Sequence, residues 1–245
     1  MGTCLVFTSG KGGTGKSTAV SAIASCLAAL GQKTLCIDMD ITLPNLDLLL
    51  GLTDYTALDL LDVAEGRAPL AEAAIAHPDI ENLFLLAGPS SVPEQLDGAA
   101  LARIVQEAKD QFDYCLIDTP AGIDDLFFLA AHAADMAVVM VTTDATSQRD
   151  AQKTVMELDA MGLRHVRMVV NRARLRFISH SSVSVDDMID FVGVPLLGIV
   201  PEDPDVIFEA VQLRPLILYS RDKAARAFLH IAQRIMGDDV PLGYR

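Results

Sequence analysis

The stretch Gly10-Lys11-Gly12-Gly13-Thr14-Gly15-Lys16-Ser17, a few residues from the N-terminus, limits what this chain can become more than any other. It satisfies G-x-x-x-x-G-K-[ST], the spacing of a loop that wraps a polyphosphate. A dense anion is held by backbone N–H groups turned inward with a helix N-terminus behind them. The backbone must come close, so Cβ atoms hinder. Gly10, Gly12, Gly13 and Gly15 remove them and permit positive φ. In such a loop Lys16 reaches the β- and γ-phosphates, the Ser17 hydroxyl ligates Mg²⁺, and Thr18 contacts the α-phosphate, with Thr14 contributing loop backbone. The flanks agree. Thr3–Thr8 is a short apolar run that reads as a buried strand, and the Ala-rich stretch from Ser17 to Leu30 reads as a helix closed by Gly31.

The same glycines also spell G-x-G-x-x-G, and Asp38 lies at about the distance of a ribose-binding acid, so a dinucleotide fold competes from this segment alone. Lys16-Ser17-Thr18 decides against it, because a dinucleotide site needs neither a lysine nor a metal-ligating hydroxyl there. Lys11 is a second lysine that the ordinary pattern does not require. By itself it reads as a solvated loop lysine. A cation beside the γ-phosphate is also where one subunit can lend transition-state charge to another's nucleotide, and comparable charged fingers are worth roughly 10³–10⁵ in rate.

The chain of 245 residues is long enough for one α/β domain with a large core, and 51% of it is apolar. The longest apolar stretch, Leu126 to Val141, is broken by His132 and Asp135, so no membrane span is expected. The start leads straight into the first strand, so no leader is expected either. Cys4, Cys26, Cys36 and Cys115 fall inside strand or helix runs without C-x-x-C spacing and read as reduced thiols of a cytoplasmic protein. The histidines show no metal-ligand spacing. A formal net charge of −14 opposes nonspecific binding to DNA or anionic lipid, so no nucleic-acid partner is expected. Arg164, Arg167, Arg172, Arg174 and Arg176 form the one basic cluster, more simply read as loop arginines at element ends.

No linker, repeat or low-complexity tract divides residues 1–245, which read as a single domain. Further strand candidates are Thr34–Asp38, Leu83–Leu86, Tyr114–Ile117, Met136–Val141, Val166–Val170 and Leu196–Ile199. Helical patterns between them include Leu101–Lys109, Asp150–Met161, Val185–Phe191 and Lys223–Ile235. This alternation predicts a three-layer α/β fold of the P-loop NTPase kind, with a mostly parallel central sheet and helices on both faces. Ligands of such sheets bind at the carboxyl ends of the strands, and polar motifs appear there. Asp118-Thr119-Pro120-Ala121-Gly122 follows one strand; an acid ending an apolar strand holds a Mg²⁺-bound water and complements Ser17. Pro120 and Gly122 suit a loop that rearranges when a γ-phosphate contact is lost. Alternation puts Asp38 and Asp40 on one side of an extended segment, with Asp38 expected in the Mg²⁺ shell and Asp40 expected to orient an attacking water. Late in the chain, Asn171-Arg172 and Pro201-Glu202-Asp203 follow strands where a base would lie. A guanine site would need a carboxylate at position 174; Arg174 stands there, so ATP is favoured, with the Asn171 amide towards adenine and backbone near Pro201–Asp203 closing the pocket. Asn171 as a plain turn residue is the alternative.

Gly10–Thr18 with Lys11 resembles the deviant phosphate loop of the MinD/ParA class of ATPases. Ile37–Ile41 with Asn45-Leu46-Asp47, Asp118–Ile123, Arg149-Asp150, Val185–Met188, Gly198–Asp203, Ile235-Met236-Gly237 and Val240-Pro241-Leu242 are similar to its MinD group over nearly the whole chain. The resemblance implies a Mg²⁺-dependent ATPase that forms an ATP-sandwiched homodimer, in which Lys11 of each subunit reaches the other's nucleotide. It also implies a role in placing the division site, by recruiting a division inhibitor of the MinC type and, in some bacteria, a topological regulator such as MinE. The partner surface would include the helix carrying Arg149 and Asp150. Ser17 replaces the usual Thr, Thr142–Gln148 is one residue shorter than in familiar members, and Gly88-Pro89-Ser90-Ser91 departs from the usual loop. Members of the group continue past Val-Pro-Leu into a short basic amphipathic helix, so membrane attachment is expected only if such a helix follows Arg245. Placement of flagella or other polar structures and metallocentre assembly are the competing roles; the latter needs surface cysteines in facing pairs. The acidic balance disfavours DNA segregation.

Overall fold

Continuous runs such as Leu5-Val6-Phe7 and Val138-Val139-Met140-Val141 have no polar side to show, so strands built from them are stable only when covered on both faces. The computed structural model describes residues 1–41, 43–55, 57–89, 97–174, 184–221 and 223–242. In it these runs form an eight-stranded sheet: β1 (Thr3–Thr8), β2 (Thr34–Asp38), β3 (Ile75–Ala76), β4 (Leu83–Leu86), β5 (Tyr114–Asp118), β6 (Met136–Val141), β7 (Val166–Ala173) and β8 (Leu196–Pro201). The order is β3-β4-β2-β5-β1-β6-β7-β8, parallel throughout except where β3 pairs antiparallel with β4.

Alternation along the strands sorts the core into two layers. Cys4 and Val6, Leu35 and Ile37, and Cys115 and Ile117 face one side. There they meet α3 (Leu60–Ala64), α4 (Leu70–Ala73), α5 (Gly98–Gln111), α6 (Asp125–Ala133), α7 (Ala145–Ala160) and α8 (Val185–Val192). Leu5, Phe7, Cys36 and Leu116 face the other. They meet α1 (Lys16–Ala29), α2 (Leu46–Leu50), α10 (Leu216–Tyr219) and α11 (Lys223–Met236), with α9 (Pro204–Val211) packed at the margin of this layer through Val206. Side chains such as Phe7, Ile23 and Phe228 are almost fully buried, each worth about 1.5–3 kcal/mol. α1 packs on the sheet beneath α2 and α11, which fixes the direction of its N-terminus.

The chain moves from β1 outward to β2 on one side and returns to β6 on the other, so the order reverses at β1. A crevice opens at the carboxyl end of a parallel sheet at such a switch point, and the glycine loop leaves β1 there.

The expected elements are all present, with shifted limits. α7 begins at Ala145, capped by the Asp144 carboxylate accepting the Ser147 N–H, so Arg149 and Asp150 lie in its second turn and not at its start. β7 runs on to Ala173 through a register shift after Val170, so Asn171 and Arg172 end the strand and do not follow it; Arg172 adopts φ 53°. β3 and the short helices α2, α3, α4 and α10 carry too few residues for a periodic signal, and α6 was read only as an apolar run. Ser90, Ser91, Arg176 and Arg245 lie outside the described residues. No helix among the described residues is long and apolar enough to cross a membrane.

Candidate functional site

The loop between Thr8 and Lys16 is shaped by glycines whose missing side chains have identifiable reasons. Gly15, the residue preceding α1, has φ 84° and ψ 30°, and an added Cβ would lie 2.3 Å from the Asn171 amide nitrogen. At Gly10 a Cβ would fall 2.5 Å from the Asp150 Cβ, so the loop rests directly on α7. Gly12 is different: a Cβ there would meet only the Ala121 Cβ at 4.0 Å. No described residue forbids a side chain at Gly12, and the space it keeps clear is a cradle open to a ligand. The loop is braced from β7, because Asn171 Nδ2 donates to the Thr14 carbonyl at 2.8 Å and Arg172 Nη1 to the Gly13 carbonyl at 3.2 Å. Gly15→Ala is expected to cost about 1–2 kcal/mol from left-handed backbone alone and to displace Asn171. A thermal melt should show the lowered midpoint, and calorimetry a weakened ATP analogue.

Inside this loop Lys16 turns back over the sheet. Its Nζ donates to Asp118 Oδ1 at 2.5 Å, with the lysine side chain 6% and the aspartate 1% exposed. Burial pushes the Asp118 carboxyl up, while the Lys16 ammonium and the Ser17 hydroxyl pull it back. Asp118 Oδ2 is buried and has no hydrogen-bond partner among the described residues. A buried carboxylate oxygen left open beside a serine hydroxyl at a helix N-terminus suits a cation held partly through water, as Mg²⁺ is. Ser17 and Asp118 therefore fit the metal; no group of three His, Cys, Asp or Glu among the described residues makes a closed metal cage.

Asp38 does something else. Its Oδ1 accepts the Asp40 N–H, and its Oδ2 accepts the N–H groups of Asn45 and Leu46, each at 3.0 Å. Burial, then the Asp118 charge, raise the Asp38 pKa to about 7 against the opposing pull of these N–H groups. Its oxygens thus anchor the next loop, since three backbone donors would otherwise be left unpaired, and a carboxylate with about four acceptor sites keeps one for a metal-bound water. Asp40 stands half-buried on that loop, with Oδ1 accepting the Leu43 N–H at 3.2 Å.

Lys11 lies at the rim. Its Nζ donates to Asp144 Oδ1 at 2.8 Å, with the side chains 34% and 50% exposed. Asp144 also accepts from Thr142 and the Ser147 N–H. Burial pushes its carboxyl up, but these donors and the Lys11 ammonium outweigh that and hold it well below the usual range. Sequence reasoning passed over Asp144. Two signals were available: it follows the apolar run Met136–Val141, and it stands three residues before Ser147 in the spacing of a helix N-cap.

Asn171, Arg172, Pro201, Glu202 and Asp203 come together around a cavity that Gly15, Thr18, Val206, Ile207 and Phe228 complete. Only some of these side chains are left for a ligand. Asn171 spends one amide N–H on the loop, which leaves its oxygen and its second N–H; Arg174 is paired with Glu202; and the Asp203 carboxylate accepts the N–H groups of Asp205 and Ala224. The described arginines of the basic cluster disperse onto local partners, with Arg164 on Asp159, Arg167 on its neighbouring carbonyl and Arg172 on the loop. All four cysteines are buried, and burial drives their thiols upward, to about 12 for Cys26, which offers no surface pair for metal transfer.

This arrangement matches known proteins over almost its whole length. The ParA family profile, described as NUBPL iron-transfer P-loop NTPase, matches residues 1–236. The septum site-determining protein MinD of Bacillus subtilis (strain 168) is 35% identical over 99% of this chain and 92% of its own length. Among solved structures, the MinC:MinD cell division protein complex of Aquifex aeolicus superposes with TM-score 0.92 at 35% identity, covering 98% of each chain. The septum site-determining protein MinD complexed with Mg-ADP from Pyrococcus horikoshii OT3 superposes with TM-score 0.85 at 30% identity, covering 96% of each chain.

Proposed function

Because this chain belongs to the MinD group of the ParA family of P-loop ATPases, we propose that it is a nucleotide-driven dimerisation switch for division-site placement, assembled by ATP and dissolved by its hydrolysis. It is a Mg²⁺-dependent ATPase and a MinD-like cell-division protein; the dimer, the residue roles and the partner surface are the proposal. In this reading residues 1–245 act as one nucleotide-binding unit.

The observation that carries the switch is the contrast between the two loop lysines. Lys16 is buried on Asp118 and belongs to its own nucleotide. Lys11 is half-buried at the rim and, among the described residues, is held by one exposed carboxylate, a pairing worth about 0–1 kcal/mol. Such a lysine is easily surrendered to a phosphate presented by a second copy, where water is excluded and a cation counts for more. Gly10, Gly12, Gly13 and Gly15 provide backbone for the phosphates, with Thr14 and Thr18 beside them. Ser17 and Asp118 hold Mg²⁺, which neutralises phosphate charge when bound. Asp40 orients the water. The Asn171 oxygen and the backbone of Pro201–Asp203 recognise adenine.

Gly10 touching Asp150 gives the phosphate loop a direct mechanical link to α7. A MinC-type inhibitor, and a topological regulator where one is present, would read the nucleotide state on that helix near Arg149 and Asp150. A body of net charge −14 gains lipid affinity only through an attached basic segment, so membrane contact on this reading is peripheral and needs dimer avidity.

Asp40→Ala tests the core of the proposal. With ATP and Mg²⁺ it is expected to persist as a dimer in light scattering, while turnover falls by about 10²-fold, the low end for a lost proton-handling group. A variant that turns over faster, or never leaves the monomer, removes Asp40 from the role.

A further inference from the structure

His77 is a buried imidazole outside the nucleotide site, yet it grips the far end of the segment that carries Asp40. At the near end Asp38 accepts the N–H groups of Asp40, Asn45 and Leu46. From there the chain is tied step by step: the Leu43 N–H donates to Asp40, Asn45 Nδ2 to the Leu43 carbonyl, and the Leu49 N–H to the Asn45 carbonyl. At the far end His77 Nε2 lies 3.0 Å from the Leu50 carbonyl oxygen, and Nδ1 accepts the N–H groups of Asp79 at 3.0 Å and Ile80 at 3.1 Å. An Nδ1 that accepts twice carries no proton, which places the proton on Nε2, donating to Leu50.

The Leu50 carbonyl belongs to the last turn of α2 and has no partner within that helix. Five residues are far too few for a helix to persist unaided, so α2 exists because both ends are held and because Leu46 and Leu50 are buried. Little slack remains beside it: a Cβ on Gly51 would lie 2.7 Å from the Leu213 carbonyl oxygen. A short body gripped at both ends passes a shift at Leu50 to Asn45 and Asp40. His77 stands just beyond β3, on the edge hairpin with β4, and its own N–H donates to the Leu83 carbonyl; it thus refers the loop to the sheet.

We infer that His77 is a positioning residue for hydrolysis, fixing through Leu50 and α2 where Asp40 stands. The inference rests on the reading of Asp40 as the water-orienting group.

His77→Asn separates the two bonds, because an asparagine oxygen takes the place of Nδ1 for Asp79 and Ile80 but is too short to reach Leu50. In the full chain, kcat for ATP is expected to fall about fivefold, the rate equivalent of one hydrogen bond, with KM and nucleotide affinity close to wild type and the thermal midpoint lowered by about 2–6 °C, as one unpaired buried carbonyl implies. His77→Gln, whose amide nitrogen reaches Leu50, should recover most of that loss. Unchanged kcat in His77→Asn overturns the inference, as does a loss of kcat that merely follows a loss of folded protein in both variants. Asp40→Ala run alongside keeps the two ideas apart. If it hydrolyses ATP normally, the reading of Asp40 fails; if it is impaired while His77→Asn is not, only the role of His77 fails.

Discussion

Lys11→Ala is expected to fold and bind ADP normally, to remain monomeric with Mg²⁺ and a non-hydrolysable ATP analogue, and to lose about 10³-fold in turnover. The side chain makes one exposed ion pair with Asp144 and buries little apolar surface, so its removal should leave stability within about 0.5 kcal/mol. Asp144 keeps its task as the α7 cap without the lysine, because the Ser147 N–H and the Thr142 hydroxyl still bind it. The loss therefore falls on the ATP-bound dimer alone. In that dimer the ammonium would sit against phosphates in a closed interface and contribute as charged fingers supplied by a second chain do. Light scattering across concentration reads the dimer, calorimetry reads ADP, and phosphate release reads turnover. A Lys11→Ala protein that still dimerises on the analogue makes Lys11 an ordinary loop lysine.

Asp118→Ala should fail differently, and first in stability. Lys16 is 6% exposed and its ammonium has Asp118 as its ion-pair partner. Removing one member of a buried pair strands the other charge, at about 3–5 kcal/mol. The thermal midpoint should drop clearly, and Mg²⁺-dependent nucleotide binding should be lost with it. Asp118→Asn divides the effects. The isosteric amide keeps the packing, so it should regain part of the stability while remaining defective in Mg²⁺-supported hydrolysis. Wild-type stability in Asp118→Ala would mean that Lys16 finds another partner, for which the neighbouring Asp38 and Asp40 carboxylates are the candidates.

Much of the nucleotide site was legible because it is local in sequence. Gly10 to Thr18 are contiguous, and the residues that follow the strands are brought to one edge by the parallel topology that the apolar runs themselves imply. What escaped depended on contacts across long separations. Asp144 meets Lys11 from 133 positions away, and Asn171 meets Thr14 from 157. The anchoring role of Asp38 escaped for a related reason: its residue type and strand-end place suit a metal, while the N–H groups it accepts come from Asp40 and from the start of a five-residue helix with no periodic signature. The limits of β7 and α7 moved because a bulge and an N-cap, not hydrophobic period, set where those elements change.

What the linear chain determined is the type of chemistry: closely spaced glycines, a lysine and a hydroxyl are sufficient in themselves to wrap a polyphosphate, since the groups that act are bonded almost directly to one another. What only the folded molecule decided is how those groups are employed. It buries Lys16 on Asp118 and leaves Lys11 half-buried at the rim, turns Asp38 into an anchor, and lets a histidine on the sheet edge hold the far end of the Asp40 loop. Burial, and the pairing of every buried donor it demands, are properties of the whole packing and cannot be assigned to a residue until its distant neighbours are in place.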